Sequence, residues 1–245
     1  MNRKVVIITQ ARLNSSRFPR KILKKVNNER LIEIHLKRLK RSKYSKNLIV
    51  ATTFEDAIND LLNILNKMNV EFFQGSTENV LDRFYNASIK YKPDYIVRVT
   101  SDCPLIDPNL IDQIVEIALY EKLDYVSNVL IESFPDGQDI EVVSFKALKK
   151  CFFMSELQKD KEHVTPYIKR NSTFNGAKLF SAKNILSNVD YKNVRMTVDE
   201  KVDLLAIKTL IERFGDSKDW KTYAQYIVDN QSLFSNQKIL RNQGY

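Results

Sequence analysis

The chain has 245 residues, 43% hydrophobic and 28% charged, a balance that suits one or two compact domains and excludes a disordered or fibrous protein. Its five glycines stand at 75, 137, 176, 215 and 244, so neither of the two commonest glycine-built phosphate loops, G-x-G-x-x-G and G-x-x-x-x-G-K-[ST], can be written anywhere in it. A formal charge of +9 favours anionic partners such as nucleotides, phosphosugars, nucleic acid or anionic lipid, while the two cysteines, Cys103 and Cys151, are too few for a disulfide framework or a zinc cluster and point to a reducing cytoplasm.

Lys4 to Thr9 is a short β-branched run, as expected of a buried parallel strand, and is too short for a signal-peptide core or a membrane span. Leu31 to Leu39 then repeats apolar residues at roughly helical spacing beside lysine and arginine, leaving His35 as a surface residue. Leu48 to Thr53 is the next strand, and Ile58, Leu61, Leu62, Leu65 and Met68 follow the 3.6 period. Val70 to Phe73, a helix opening at Val80, Tyr95 to Val99 and a helix over Leu110 to Ala118 continue the alternation. Such alternation predicts an α/β domain around a parallel sheet, with ligands at the carboxyl ends of the strands.

Beyond Asp124 the pattern loosens. Strands are expected at Tyr125 to Asn128 and Ile140 to Phe145, short ones near Lys178 and Val194, and helices near Lys146 to Ser155, Glu162 to Arg170 and Val202 to Phe214. Nothing rich in Pro, Gly or Ser separates the halves, so residues 1–231 read as one domain with a mixed sheet and 232–245 as a polar tail that frays.

Two strand ends carry chemistry. Gln10 to Lys21 (QARLNSSRFPRK) sets Arg12, Arg17, Arg20 and Lys21 with Ser15 and Ser16 at the edge of the sheet, where arginine forks and a lysine charge suit a triphosphate without help from glycine. Thr100 to Asp107 (TSDCPLID) places Asp102 where a hard cation would sit, since magnesium takes one or two carboxylates and leaves the rest to phosphate and water; Asp107 reads instead as the cap of the helix beginning at Pro108. Pro135 to Val142 is a turn leading into a strand, which would turn Asp139 and Glu141 to one side.

The run QARLNSSRFPRKIL (Gln10 to Leu23) resembles the A-R-x-x-S-x-R-x-P-x-K-x-L signature of the cytidylyltransferases that activate sugars and sugar acids. QGSTENVLDRF from Gln74, DCPLID from Asp102, FPDGQDIEV from Phe134, EHVTPYI from Glu162 and MTVDE from Met196 are similar to the branch of the spore coat polysaccharide biosynthesis protein F. The resemblance covers residues 4 to about 230. It implies a glycosyltransferase-A-like nucleotidyltransferase fold, layered α/β/α with a mixed, mainly parallel sheet. The implied reaction is CMP transfer from CTP to a sugar acid or sugar phosphate, for surface polysaccharide or glycoconjugate synthesis.

Carried over by residue, the resemblance gives Arg12, Lys21 and Asp102 as catalytic and Asp102 and Asp199 as ligands of Mg²⁺. Gln10, Ala11, Arg12, Ser15, Arg17, Lys21, Arg83, Arg98 and Thr100 make up the nucleotide side, and Asp139, Glu141 and His163 the acceptor side. Asn14 and Arg20 stand where the resemblance implies glycine, and Thr100 where it implies a cytosine-reading glutamine, so base identity is less secure than phosphate binding. The rival readings are a guanylyl- or uridylyltransferase, a fold that has lost catalysis, and nucleic-acid binding through Lys37 to Lys43, a stretch without interleaved aromatics. No nucleic-acid or membrane partner is expected, and a homodimer is compatible with the resemblance.

Overall fold

The computed structural model describes residues 3–239 and 241. Its main sheet is built from β1 (Val5–Gln10), β4 (Leu48–Thr53), β5 (Glu71–Gly75), β6 (Tyr95–Thr100), β7 (Tyr125–Ser127), β8 (Glu141–Ser144) and β9 (Ala182–Asn184); β2 (Lys25–Val26) and β3 (Glu29–Arg30) form a separate hairpin. The strand order is β5-β4-β1-β6-β8-β7-β9. Neighbours are parallel from β5 to β6, β8 is antiparallel to both β6 and β7, and β9 runs parallel to β7. The predicted α/β fold with a mixed, mainly parallel sheet is the observed one.

Alternation along β1 shows how the layers arise. Val5 and Ile7 point to one face, where they meet the apolar stripes of α1 (Leu31–Leu39), α2 (Asn59–Lys67), α4 (Pro108–Glu121), α8 (Lys201–Phe214) and α9 (Trp220–Asp229). Val6 and Ile8 point to the other, against α3 (Val80–Ile89), α5 (Phe145–Met154) and α7 (Pro166–Arg170). Because both faces are covered, the central strands are apolar throughout instead of alternating with polar residues. The register sets Gln10 beside Ala51 and Thr100, so the loops after β1 and β6 leave the sheet side by side.

The second half departs from the sequence reading in four places. The single helix expected over Glu162 to Arg170 is two, α6 (Gln158–His163) and α7. The break is at Val164, which turns the chain with φ 71° and ψ −50° while Thr165 N–H donates to the His163 carbonyl at 2.8 Å, a γ-turn that a β-branched residue rarely adopts; Pro166 then opens the second helix. The short strand expected near Lys178 lies slightly further on as β9, and the one near Val194 reduces to a single bridge of Asp136 with Arg195. The sequence reading has no helix at α9, although Trp220, Tyr223, Ala224 and Ile227 follow the helical period and are buried.

The polar tail is the fourth correction. Phe234 and Asn236 are buried, and residues 235–238 form a 3₁₀ turn against the body of the protein. A core aromatic and paired amides hold this segment in place; of the expected tail, 240 and 242–245 lie outside the described residues.

Candidate active site

At the carboxyl ends of β1 and β6 opens a cleft of about 620 Å³. Every residue assigned to donor, acceptor or metal from the sequence lines it: Gln10, Ala11, Arg12, Ser15, Arg17, Lys21, Arg83, Arg98, Thr100, Asp102, Asp139, Glu141, His163 and Asp199. Asp136, Ser16, Thr197 and Gln158 complete much of the remaining wall.

The loop after β1 is held by its apolar residues and by one carboxylate. Leu13, Phe18 and Ile22 are buried, and Glu55 accepts from the Leu13 and Asn14 amides at 3.0 and 2.7 Å. Nothing in the sequence singled out Glu55, one of two adjacent acids after β4. Of the two positions where glycine was implied, Arg20 alone is left-handed (φ 56°, ψ 27°), which costs a non-glycine residue roughly 1–2 kcal/mol. Its guanidinium pairs with Asp60, away from the cleft. Asn14 does not adopt the left-handed conformation.

Lys21 is the centre of the site. Its Nζ lies 2.9 Å from Asp102 Oδ2 and 2.7 Å from Asp199 Oδ1, joining loops that follow β1, β6 and residue 195. Burial pulls its pKa down, but the two carboxylates outweigh burial and hold the ammonium charged. Burial likewise pushes Asp102 up, and Lys21 with the Thr100 hydrogen bond reverses it, holding the carboxyl well below the usual range. Asp199 Oδ2 also meets Arg17 at 3.2 Å and Arg195 at 3.4 Å. Arg195, missed by the sequence reading, grips Asp203 at 2.8 and 2.9 Å and Asp136 at 2.9 Å. Its backbone is fixed in turn by Gln237, which accepts from the Arg195 N–H at 2.7 Å and donates to its carbonyl at 2.9 Å.

Arg83 differs from these paired cations. It is buried, and its Nε and one terminal nitrogen have no hydrogen-bond partner among the described residues. Burial first, and Arg12 second, lower its pKa to about 10. A guanidinium in that condition lacks the acceptor that an incoming ligand could supply.

Asp139 lies outside β8, so it shares the cleft with Glu141 through the turn rather than through one strand face. Gly137 makes that turn possible: its φ is +109°, and a Cβ there would sit 2.7 Å from the Met196 backbone. Asp139 is paired with Arg241, which also donates to the Phe134 carbonyl at 3.2 Å. Glu141 is a buried hub whose oxygens accept from Arg98, Tyr125 and Thr165, with Lys169 at 3.4 Å. Burial pushes its pKa up; Lys169, Arg98 and the two hydroxyl bonds bring it down to about 2. Both its oxygens are occupied, which corrects the picture of a carboxylate left open for sugar hydroxyls.

His35 corrects another reading. It is fully buried beneath the cleft, with Nε2 2.9 Å from Thr9 Oγ1 and Nδ1 2.9 Å from the Cys103 carbonyl. The carbonyl needs a donor, so Nδ1 carries the proton and Nε2 accepts from Thr9. Burial lowers the pKa to about 4, so the folded ring is neutral while an unfolded histidine takes a proton near its ordinary 6.5. Its contribution to stability is therefore full above about pH 6.5 and lost as the pH falls toward 4, a span worth roughly 3 kcal/mol. His35→Gln is expected to flatten that part of the stability curve by a similar amount, read from urea denaturation at pH 7 and pH 4; an unchanged difference would rule out a neutral buried ring.

A sequence profile of cytidylyltransferases matches residues 6–241. The chain belongs to the cytidylyltransferase family. An uncharacterized protein of Methanocaldococcus jannaschii is 38% identical over 86% of this chain and 84% of its own. The spore coat polysaccharide biosynthesis protein SpsF of Bacillus subtilis is 31% identical over 88% of this chain and 89% of its own. Among solved structures, a cytidylyltransferase from Leptospira borgpetersenii superposes with a TM-score of 0.90 at 31% identity, covering 98% of this chain and all of that one. In this member of the family, no group of three His, Cys, Asp or Glu side chains among the described residues is placed to hold a metal. Two convergent carboxylates beside the basic loop after β1 nevertheless fit magnesium, which draws its remaining ligands from phosphate and water.

Proposed function

We propose that the protein transfers CMP from CTP to a sugar acid or sugar phosphate and releases pyrophosphate, in the service of surface polysaccharide or glycoconjugate synthesis. The observation that carries this reading is the Lys21 ammonium set between Asp102 and Asp199, flanked by Arg17 and with Arg12 in the same cleft. Arg12, Arg17 and Lys21 bind the triphosphate, and Arg83 offers its open donors to the nucleotide. Asp102 and Asp199 would hold Mg²⁺, which when bound neutralises phosphate charge and polarises the α-phosphoryl group. An acceptor oxygen forms a bond to the α-phosphorus as the bond to pyrophosphate breaks, a step that needs positioning and charge more than a covalent side-chain nucleophile. Asp139 and His163 face the acceptor, and Glu141 acts by holding Arg98 and Lys169. The relationship to SpsF supports the polysaccharide setting.

The reading places the enzyme in the cytoplasm, without nucleic-acid or membrane partners and with a homodimer as its expected assembly. No helix among the described residues is long and apolar enough to cross a membrane. The basic stretch Lys37 to Lys43 is tied up: Arg38 is buried and donates to the Ile106 and Lys218 carbonyls at 2.7 and 2.9 Å, and Lys37 and Lys43 pair with Glu29 and Glu116.

The test is to incubate the protein with each of the four NTPs, Mg²⁺ and a panel of sugar acids and sugar phosphates while following pyrophosphate. Release with CTP is expected; preference for GTP or UTP, or no release with any pair, would overturn the assignment. In calorimetry, Arg12→Ala and Arg17→Ala should each weaken CTP binding by roughly 1.5–3 kcal/mol, the range for a charge-assisted contact, and exposed Lys46→Ala should leave it unchanged. Equal affinity in all three variants would remove the triphosphate from this loop.

A further inference from the structure

We propose that Lys21 is an internal counter-ion that locks the divalent-cation site, so that Asp102 and Asp199 become metal ligands only when a triphosphate draws the lysine away. The proposal rests on the metal assignment above and concerns how that site is opened.

The lock follows from which oxygens are occupied. Lys21 Nζ takes Asp102 Oδ2 and Asp199 Oδ1, and the second oxygen of Asp199 faces Arg17 and Arg195. Three of the four carboxylate oxygens therefore already face a cation, and the fourth, Asp102 Oδ1, has the Cys103 thiol at 3.6 Å. Lys21 is 8% exposed, so its ammonium is not a loosely held surface charge that an ion could displace at little cost. A hard dication entering alone would have to displace the ammonium and leave a buried lysine without a partner, which is strongly unfavourable.

A triphosphate changes the balance. Its oxygens give Lys21 and Arg17 new anionic partners at the moment it brings its own charge to the cleft, and the two carboxylates are released to a cation that the phosphates also bind. Nucleotide and metal then enter as a unit, and the site discriminates against free divalent ions that have no phosphate to carry them. The same lysine thus has opposite effects on two ligands. It contributes to CTP affinity and subtracts from the affinity for metal alone.

Mn²⁺ is the probe. It is titrated, without nucleotide, into wild type, Lys21→Met, Lys21→Gln and Lys21→Met/Asp199→Asn, and free Mn²⁺ is read from its electron paramagnetic resonance signal; circular dichroism confirms folding. Wild type should bind weakly, both neutral Lys21 variants at least tenfold more tightly, and Asp199→Asn should abolish the gain. CTP affinity should move the other way in the same two variants. Equal Mn²⁺ affinity in wild type and both Lys21 variants, whether tight or weak, overturns the lock, as does a gain that survives Asp199→Asn. A separate arm adds CTP to wild type and follows water-proton relaxation by Mn²⁺: an enhancement that is unchanged by Asp102→Asn and Asp199→Asn would refute the metal assignment itself, an outcome distinct from failure of the lock.

Discussion

Asp102→Asn and Asp199→Asn should each lower turnover by on the order of a thousandfold or more at saturating CTP and Mg²⁺, with far-ultraviolet circular dichroism unchanged. Asparagine keeps the size of the side chain and removes its charge, so the loss is of the field that holds Lys21 and the cation rather than of packing. The two variants need not be equal. Among the described residues Asp102 pairs with one cation, Lys21, while Asp199 also faces Arg17 and Arg195, and its backbone N–H is fixed at 2.9 Å on Asp203. Asp199→Asn should therefore disturb its surroundings more, because Arg17 and Arg195 as well as Lys21 lose a carboxylate. Pyrophosphate release near the wild-type rate in both variants would remove these carboxylates from the reaction.

Glu141→Ala should destabilise the protein by roughly 3–5 kcal/mol, the range for leaving a buried charge without its partner. Arg98 and Lys169, both largely buried, lose their shared carboxylate, and the hydroxyls of Tyr125 and Thr165 lose their acceptor. The measurement is the urea midpoint at pH 7, compared with Asp139→Ala, which removes a half-buried partner of Arg241 only. Were Glu141 an open sugar ligand, its replacement would leave the midpoint nearly unchanged and raise the acceptor KM alone. Asp139→Ala is expected to behave in that second way, with CTP affinity kept within about twofold and the acceptor KM raised or kcat lowered.

The contrast between these two acids shows what the sequence could reveal. The positions of the loops were legible, because β-branched runs such as Lys4 to Thr9 and Tyr95 to Val99 announce strands and polar, charged segments follow each of them. The assigned residues meet in one cleft because β1 and β6 are adjacent and parallel. How each side chain is engaged was not legible. The spacing of Asp139 and Glu141 is the same whether they face solvent or a buried arginine, and only the antiparallel register of β8 on β6, which sets Glu141 opposite Arg98, decides it.

His35 was misread for a related reason. Lysines and arginines surround it in sequence, yet three-residue spacing from Ile32 puts it on the inward side of α1, below Thr9 and Cys103. The contribution of residues 234–241 was invisible because no apolar period marks it. One aromatic, Phe234, and a few amide and guanidinium contacts seat the segment, and each partner lies far away in the chain.

That segment has a consequence for the order of events during synthesis. The sheet is complete at Asn184, and α8 and α9 then finish the layer on the Val5 and Ile7 face before the last residues are added. Gln237 and Arg241 then fasten onto Arg195 and Asp139, the supports of the two ends of the cleft. A chain ending near residue 230 would therefore resist proteolysis as a folded body while remaining a poor catalyst.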